Sequence, residues 1–199
     1  MKSNLDSHKR MIQRRREGYE KKQAAATCEK GLLIIHTGNG KGKTTAAFGM
    51  AVRALGHGMR IGIIQFIKGA LHTSERHFLG SFEHCDFITI GNGYTWNSED
   101  QNANIMSARR GWKEACKMID SRNYQMIILD ELNTVLRYAY LPLDEVLITL
   151  TKRPEELHII VTGRHAPVKL INSADLVTEM RLIKHPYRHN VKAQPGVEF

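Results

Sequence analysis

Short apolar runs alternate with amphipathic stretches along most of this chain, and that alternation predicts its elements. Leu32–His36 reads as a first strand, and Thr44–Leu55 as the helix after it, stopped by Gly56-His57-Gly58. Arg60–Phe66 makes a second strand and Phe87–Ile90 a short third. The glycines and asparagine of Gly91-Asn92-Gly93-Tyr94-Thr95-Trp96 mark a loop. Ser98 and Gln101 have capping-box spacing, opening a helix that runs to about Asp120. Its apolar face is Ile105, Ala108, Trp112, Ala115, Cys116 and Ile119, so Trp112 and Cys116 are read as core. Gln125–Leu129 is a strand buried on both faces; Pro142 opens a helix ending near Arg153-Pro154; Leu157–Thr162 and Leu176–Ile183 complete a sheet.

Strands alternating with helices predict an α/β fold with a mostly parallel sheet flanked by helices. The 199 residues suit one such domain, residues 31–199, preceded by a polar, basic helical extension over residues 1–30. No apolar run spans a bilayer and no secretory core is evident, so no membrane association is expected. Cys28, Cys85 and Cys116 are widely spaced and form no disulfide framework, which predicts a reduced, cytoplasmic protein.

The net charge of +9 raises the question of nucleic acid. Residues 1–30 hold nine Lys/Arg against four Asp/Glu, concentrated around Arg14-Arg15-Arg16 and Lys21-Lys22, whereas the body carries only +4. A basic arm can hold nucleic acid, an anionic ligand or a partner subunit, or be a solvated helix face. The body shows no basic stripe with interleaved aromatics, which argues against a nucleic-acid partner.

The chemistry is concentrated where the first strand meets the first helix. Thr37-Gly38-Asn39-Gly40-Lys41-Gly42-Lys43-Thr44-Thr45 has the composition of a phosphate-binding loop. Glycines let backbone N–H groups converge on phosphate oxygens, the helix N-terminus adds partial positive charge, and Lys43 adds a full one. The Thr44 hydroxyl is placed to bind Mg²⁺. The usual first glycine falls on Thr37, so counted from Gly38 the loop is one residue short. Lys41 adds a second ammonium, suited to gripping a whole polyphosphate or simply solvated at the tip.

The strand Met126-Ile127-Ile128-Leu129 delivers Asp130 and Glu131 at its C-terminal end, beside the expected loop. One carboxylate holds Mg²⁺ directly or through water, and the other polarises water or positions substrate. The fold class is therefore P-loop NTPase-like, of the RecA-like kind. Arg164 follows a buried strand at the rim where anion-binding groups belong, and Arg53 either reaches phosphate or pairs on the surface. Tyr94 and Trp96 either anchor a core or form a stacking surface for a large flat ligand. Among the ten histidines there is no HExxH, and Pro186 spoils a helical His185–His189 pair.

Taken together, the phosphate loop, Gln65-Phe66-Ile67-Lys68-Gly69, Tyr94-Thr95-Trp96, Leu129-Asp130-Glu131-Leu132, Thr162-Gly163-Arg164, Lys184-His185-Pro186-Tyr187 and Ala193-Gln194 resemble the cobalamin-type ATP:corrinoid adenosyltransferases. The resemblance runs from about residue 30 to the end. It implies that Co(I) of a reduced corrinoid, cobalamin or cob(I)yrinic acid a,c-diamide, attacks C5′ of MgATP and expels inorganic triphosphate. Gly38, Asn39, Gly40, Lys41, Gly42, Lys43, Thr44 and Thr45 would bind the triphosphate, with Arg53 and Arg164 as further contacts. Lys43 and Glu131 would be catalytic, with Thr44, Glu131 and Asp130 around Mg²⁺ or, alternatively, Mn²⁺. Tyr94 and Trp96 match the aromatic loop that excludes the corrinoid's lower axial ligand, although Asn92-Gly93-Tyr94 stands where Thr-Gly-Phe is more usual. A homodimer, an N-terminal helix helping to cover the site and a flavin-type electron-donor protein are implied too. The chain has no DxHxxG segment, by which other proteins supply a histidine to cobalt. The competing expectations are a P-loop ATPase acting on nucleic acid through the basic arm, and a kinase, for which no lid-like arginine cluster is seen.

Overall fold

A computed structural model describes residues 2–67, 74–90 and 101–197, and side-chain surroundings from residue 8 onward. Among these residues, six strands form one sheet: β1 (Leu33–Thr37), β2 (Ile61–Gln65), β3 (Cys85–Thr89), β4 (Met126–Asp130), β5 (His158–Thr162) and β6 (Leu176–Glu179). Their order is β3-β2-β4-β5-β1-β6 and every pairing is parallel. Among the described residues, seven α-helices accompany them: α1 (Lys2–Ala25), α2 (Lys43–Gly56), α3 (Ser74–Leu79), α4 (Gln101–Ser121), α5 (Leu132–Arg137), α6 (Leu143–Thr151) and α7 (Val168–Ser173).

The central strands are apolar throughout because both of their faces are covered, and successive side chains alternate between the two. Leu33, Ile35, Ile64, Ile127, Leu129, Ile159 and Val161 meet Trp112 and Ala115 of α4, Leu132 of α5, Val146 of α6 and Leu170 of α7. Ile34, Ile61, Ile63, Ile128 and Ile160 meet Ala47, Phe48, Ala51 and Ala54 of α2 and Leu79 of α3. Trp112 is core, as expected, and Cys116 packs partly buried against it. Burial pushes the Cys85 thiol up to about 11 and raises that of Cys116 as well, so neither is a ready nucleophile.

The differences from the sequence reading have local causes. The helices α3, α5 and α7 are six residues each, too short to show a helical period, and were not expected. The strand expected over Leu176–Ile183 ends at Glu179. Beyond it the chain turns onto the loop after β1: Met180 donates its N–H to the Thr37 carbonyl, and its own carbonyl accepts from the Gly40 N–H. The capping residue expected at Ser98 lies outside the described residues, while α4 runs one residue beyond Asp120. His185 precedes a 3₁₀ turn, Pro186–His189, and its ring accepts from the Tyr187 N–H.

The first helix differs from the rest. Every residue from 8 to 30 is exposed, including Met11, Ile12 and Tyr19, and its contacts include Arg16–Glu20 along its own surface. Among the described residues, no helix is long and apolar enough to cross a membrane.

Candidate active site

Four strands end in a buried polar residue at the same edge of the sheet, where α/β proteins bind ligands. These are Thr37 of β1, Gln65 of β2, Asp130 of β4 and Thr162 of β5, all at most 7% exposed. Parallel register puts Gln65 directly beside Asp130. Buried polar groups at this density require partners, and Asp130 is the hub. Its Oδ1 accepts from the Thr44 hydroxyl at 2.8 Å and the Thr162 hydroxyl at 2.7 Å, and its Oδ2 accepts from Gln65 Nε2 at 2.9 Å. Removing one partner of such a buried bond costs about 1–3 kcal/mol.

The loop over this edge is shaped by what lies beneath it. Gly38 has φ 94°, and a Cβ there would stand 2.4 Å from the Met180 carbonyl, so neither the conformation nor the space admits a side chain. The residue in the usual first-glycine position, Thr37, instead uses its side chain: Oγ1 accepts from the Ala166 N–H at 3.1 Å, joining the loop after β5 to the phosphate loop. Gly42, at φ 100°, is the N-cap of α2 and provides no side-chain cap. The N-terminus of that helix carries the partial positive charge of its macrodipole, which favours an anion.

Lys43 is 7% exposed and lies within the loop, its Nζ donating to the carbonyls of Gly38 at 2.9 Å and Gly40 at 2.6 Å. His36, buried at the end of β1, holds the first turn of α2 through Nδ1, 3.2 Å from the Lys43 carbonyl. Asn39, Lys41 and Thr45 are exposed, and Thr44 is half-buried. Arg53 is exposed on α2, and Arg164 is exposed at the rim, just after Gly163.

The two adjacent carboxylates differ in their surroundings. Asp130 ends β4 and touches Thr44, whereas Glu131 lies beyond the strand with φ 64° as the N-cap of α5. Its backbone N–H donates to the Thr162 hydroxyl, and its Oε2 accepts from the Thr134 hydroxyl at 2.5 Å. A left-handed conformation in a residue other than glycine is disfavoured, and such positions cluster at functional sites. Tyr94, Trp96, Lys68 and Gly69 lie outside the described residues. Sequence reasoning gave no individual role to Gln65 or Thr162. Each is a polar residue at the end of an apolar strand, and that is the signal by which they are found.

The hydroxyl and carboxylate of Thr44 and Asp130 are hard oxygen donors, the kind Mg²⁺ prefers. Among the described residues, no three His, Cys, Asp or Glu side chains cluster as a cage. A small number of protein oxygens is what Mg²⁺ takes when phosphates and water complete its shell, so the donor set fits that ion.

The profile of the ATP:corrinoid adenosyltransferases BtuR/CobO/CobP matches residues 29–199. The chain belongs to this family. It is 44% identical over 193 residues to the corrinoid adenosyltransferase of Pseudomonas aeruginosa, covering 96% of this chain and 95% of that one. With the corrinoid adenosyltransferase of Escherichia coli K12 the identity is 40% over 187 residues, covering 94% and 95%. The fold resembles that of the flagellar accessory protein FlaH from Methanocaldococcus jannaschii, with a TM-score of 0.50 at 14% identity over 76% of this chain and 71% of the other. The resemblance read from the motifs is thereby established at the level of the family, as is the P-loop α/β fold. As a corrinoid adenosyltransferase family member, the chain takes ATP and a corrinoid as its substrates.

Proposed function

We propose that the chain adenosylates a reduced corrinoid: Co(I) attacks C5′ of ATP, the C5′–O bond breaks, and its electron pair leaves with inorganic triphosphate. The observation carrying this reading is the joining of Thr44 to Asp130 beneath a loop that already encloses the Lys43 ammonium. By accepting the hydrogen bond of the Thr44 hydroxyl, Asp130 leaves that oxygen's lone pairs for a metal. Mg²⁺, for which Mn²⁺ can substitute, supplies charge neutralisation to the triphosphate when bound. Lys43 and the N-terminus of α2 neutralise the remaining negative charge. Gly38, Asn39, Lys41, Gly42 and Thr45 complete the phosphate cradle, while Gly40 holds the loop's shape by donating its N–H to the Met180 carbonyl. Arg164 is assigned to the outer phosphates, and Arg53, in the last turn of α2 about 15 Å along the helix from Lys43, is not.

We assign the metal contact to Asp130 rather than Glu131, because Asp130 is the carboxylate bonded to Thr44. Glu131, held by Thr134 and Thr162, is assigned to substrate positioning. Asp130→Asn is expected to raise the Mg²⁺ concentration for half-maximal rate roughly 10–100-fold. Glu131→Gln should lower the rate with little change in that concentration. A magnesium titration of both variants checks the assignment, and a large shift in Glu131→Gln alone would reverse it.

Tyr94 and Trp96 are proposed to displace the corrinoid's lower ligand, giving four-coordinate Co(II), which a flavin-type donor protein reduces more easily. The unpaired Cys28, Cys85 and Cys116 suit a reduced cytoplasmic setting. Residues 1–30 are proposed as a separate cover over the 31–199 domain. A helix so exposed gains most of its stability by packing, and a partner subunit in a homodimer or the site itself offers that surface. A nucleic-acid role for its basic face loses its motive once an anionic nucleotide is the substrate.

One assay tests these points: anaerobic mixing with ATP, Mg²⁺ and cobalamin, followed through the corrinoid spectrum. Wild-type protein should convert chemically prepared Co(I) to the adenosyl form; no conversion would overturn the proposed function. Trp96→Ala and Tyr94→Ala should lose activity when starting from Co(II) with a mild reductant and regain much of it from Co(I). Equal losses from both would return these aromatics to a structural role. Deletion of residues 1–30 should lower turnover while ATP binding persists, and salt-sensitive DNA binding lost with the deletion would restore the nucleic-acid reading.

A further inference from the structure

Gln65 is 1% exposed at the end of β2, and the strand pairing fixes it on both sides. Its backbone carbonyl accepts from the Ile90 N–H, and the neighbouring Phe66 N–H donates to the Asp130 carbonyl. The side chain is used unevenly. Nε2 donates to Asp130 Oδ2 at 2.9 Å, while the buried Oε1 has no hydrogen-bond partner among the described residues. An orphaned buried acceptor carries an uncompensated desolvation cost that an aliphatic side chain of equal size would avoid. Methionine would fill this place without it. The amide is therefore explained by its donor half.

What that half does follows from the occupancy of Asp130. Both described bonds to Oδ1 come from hydroxyls, those of Thr44 and Thr162, and either hydroxyl can rotate to another acceptor. Oδ2 is tied by Gln65. The amide is planar and fixed by its strand, so this bond sets the rotation of the carboxylate about its Cβ–Cγ axis. With that rotation set, Oδ1 faces Thr44, and the hydroxyl that donates to it keeps its lone pairs for another ligand.

We propose that Gln65 is a positioning residue of the metal–nucleotide site, acting through Asp130 to orient the oxygens that hold the metal. The proposal rests on the reading of Thr44 and Asp130 as the metal pair, and it does not depend on the corrinoid reaction. Second-shell partners of metal ligands act in this way and typically change metal affinity by about 10–100-fold. A glutamate here would not substitute, because two carboxylates would then face each other in a buried site.

The test is Mn²⁺ binding in the presence of ATP, read from the free-Mn²⁺ signal in electron paramagnetic resonance, with no corrinoid present. Gln65→Met is expected to weaken Mn²⁺ roughly 10–100-fold. ATP binding without metal should stay within about twofold. In an Asp130→Asn background the same substitution should change Mn²⁺ affinity by less than about twofold, since a residue acting through Asp130 has nothing left to orient. An unchanged Mn²⁺ affinity, an equal loss in both backgrounds, or a parallel loss of metal-free ATP binding would each overturn the proposal. Should Gln65→Met not fold, Gln65→Asn, which withdraws the amide by one methylene, carries the same comparison. Wild-type protein that binds Mn²⁺ with ATP yet never adenosylates cobalamin would defeat the proposed reaction while leaving this inference standing.

Discussion

Replacing Lys43 by alanine is expected to lower kcat about 100–1,000-fold, equivalent to roughly 2.7–4 kcal/mol of barrier, in a protein that still folds. The size follows from where the ammonium sits. At 7% exposure it is withdrawn from water, so its attraction for a developing anion is weakly screened. Its two carbonyl partners, Gly38 and Gly40, hold it inside the loop before any phosphate arrives, so little reorganisation is needed during the reaction. Folding should survive because both of those partners are carbonyls of the loop itself, and Ala47, Phe48, Ala51 and Ala54 supply the helix's core contacts without it. Lys43→Arg should not rescue, since the wider planar guanidinium does not fit between those two carbonyls. Single-turnover kinetics with prepared Co(I), alongside a thermal melt, measure both halves. A near-normal kcat in a folded Lys43→Ala variant would take this lysine out of the mechanism.

Most of the sheet was legible because its strands are buried on both faces. Ile34, Ile128 and Ile160 face one layer of helices, and Ile35, Leu129 and Val161 face the other, so each strand reads as an unbroken apolar run. The phosphate loop was legible for a different reason. Its glycines answer a demand of the backbone: positive φ at Gly38 and Gly42, and the Met180 carbonyl pressed against Gly38. Where the reading fell short, the deciding contacts lie far apart in sequence. Leu182 and Ile183 continue the apolar character of β6, yet the chain leaves the sheet after Glu179 because Met180 bonds to Thr37 and Gly40. Neighbouring Asp130 and Glu131 cannot be told apart by composition. They differ because β4 ends between them, with Asp130 in register beside Gln65 and Glu131 turned into the left-handed region. The short helix α5 that follows has too few residues to declare itself. Gln65 itself was visible as a polar end to an apolar strand, but its partner stands on another strand.

Inorganic triphosphate should appear in one-to-one ratio with adenosylated corrinoid, with no corrinoid-stimulated ADP. A hydrolase or kinase stabilises charge developing at the β–γ bridge and leaves the rest of the nucleotide bound as a diphosphate. Here the breaking bond is C5′–O, and all of the negative charge departs in one polyanion, so the site must hold three phosphates through the transition state. The structure gathers positive character there for that purpose. Lys43 lies inside the loop, Lys41 is exposed at its tip, and the N-terminus of α2 adds its partial positive charge. The Met180 carbonyl already accepts from the Gly40 N–H, which ties the middle of the loop to the sheet edge and resists opening as the charge moves. The same grip predicts slow release, so triphosphate added at the start should inhibit competitively against ATP. Phosphorus NMR of the spent anaerobic reaction decides the stoichiometry. Stoichiometric ADP and phosphate without triphosphate would show cleavage between phosphates, and the transfer of the adenosyl group would have to be abandoned for this chain.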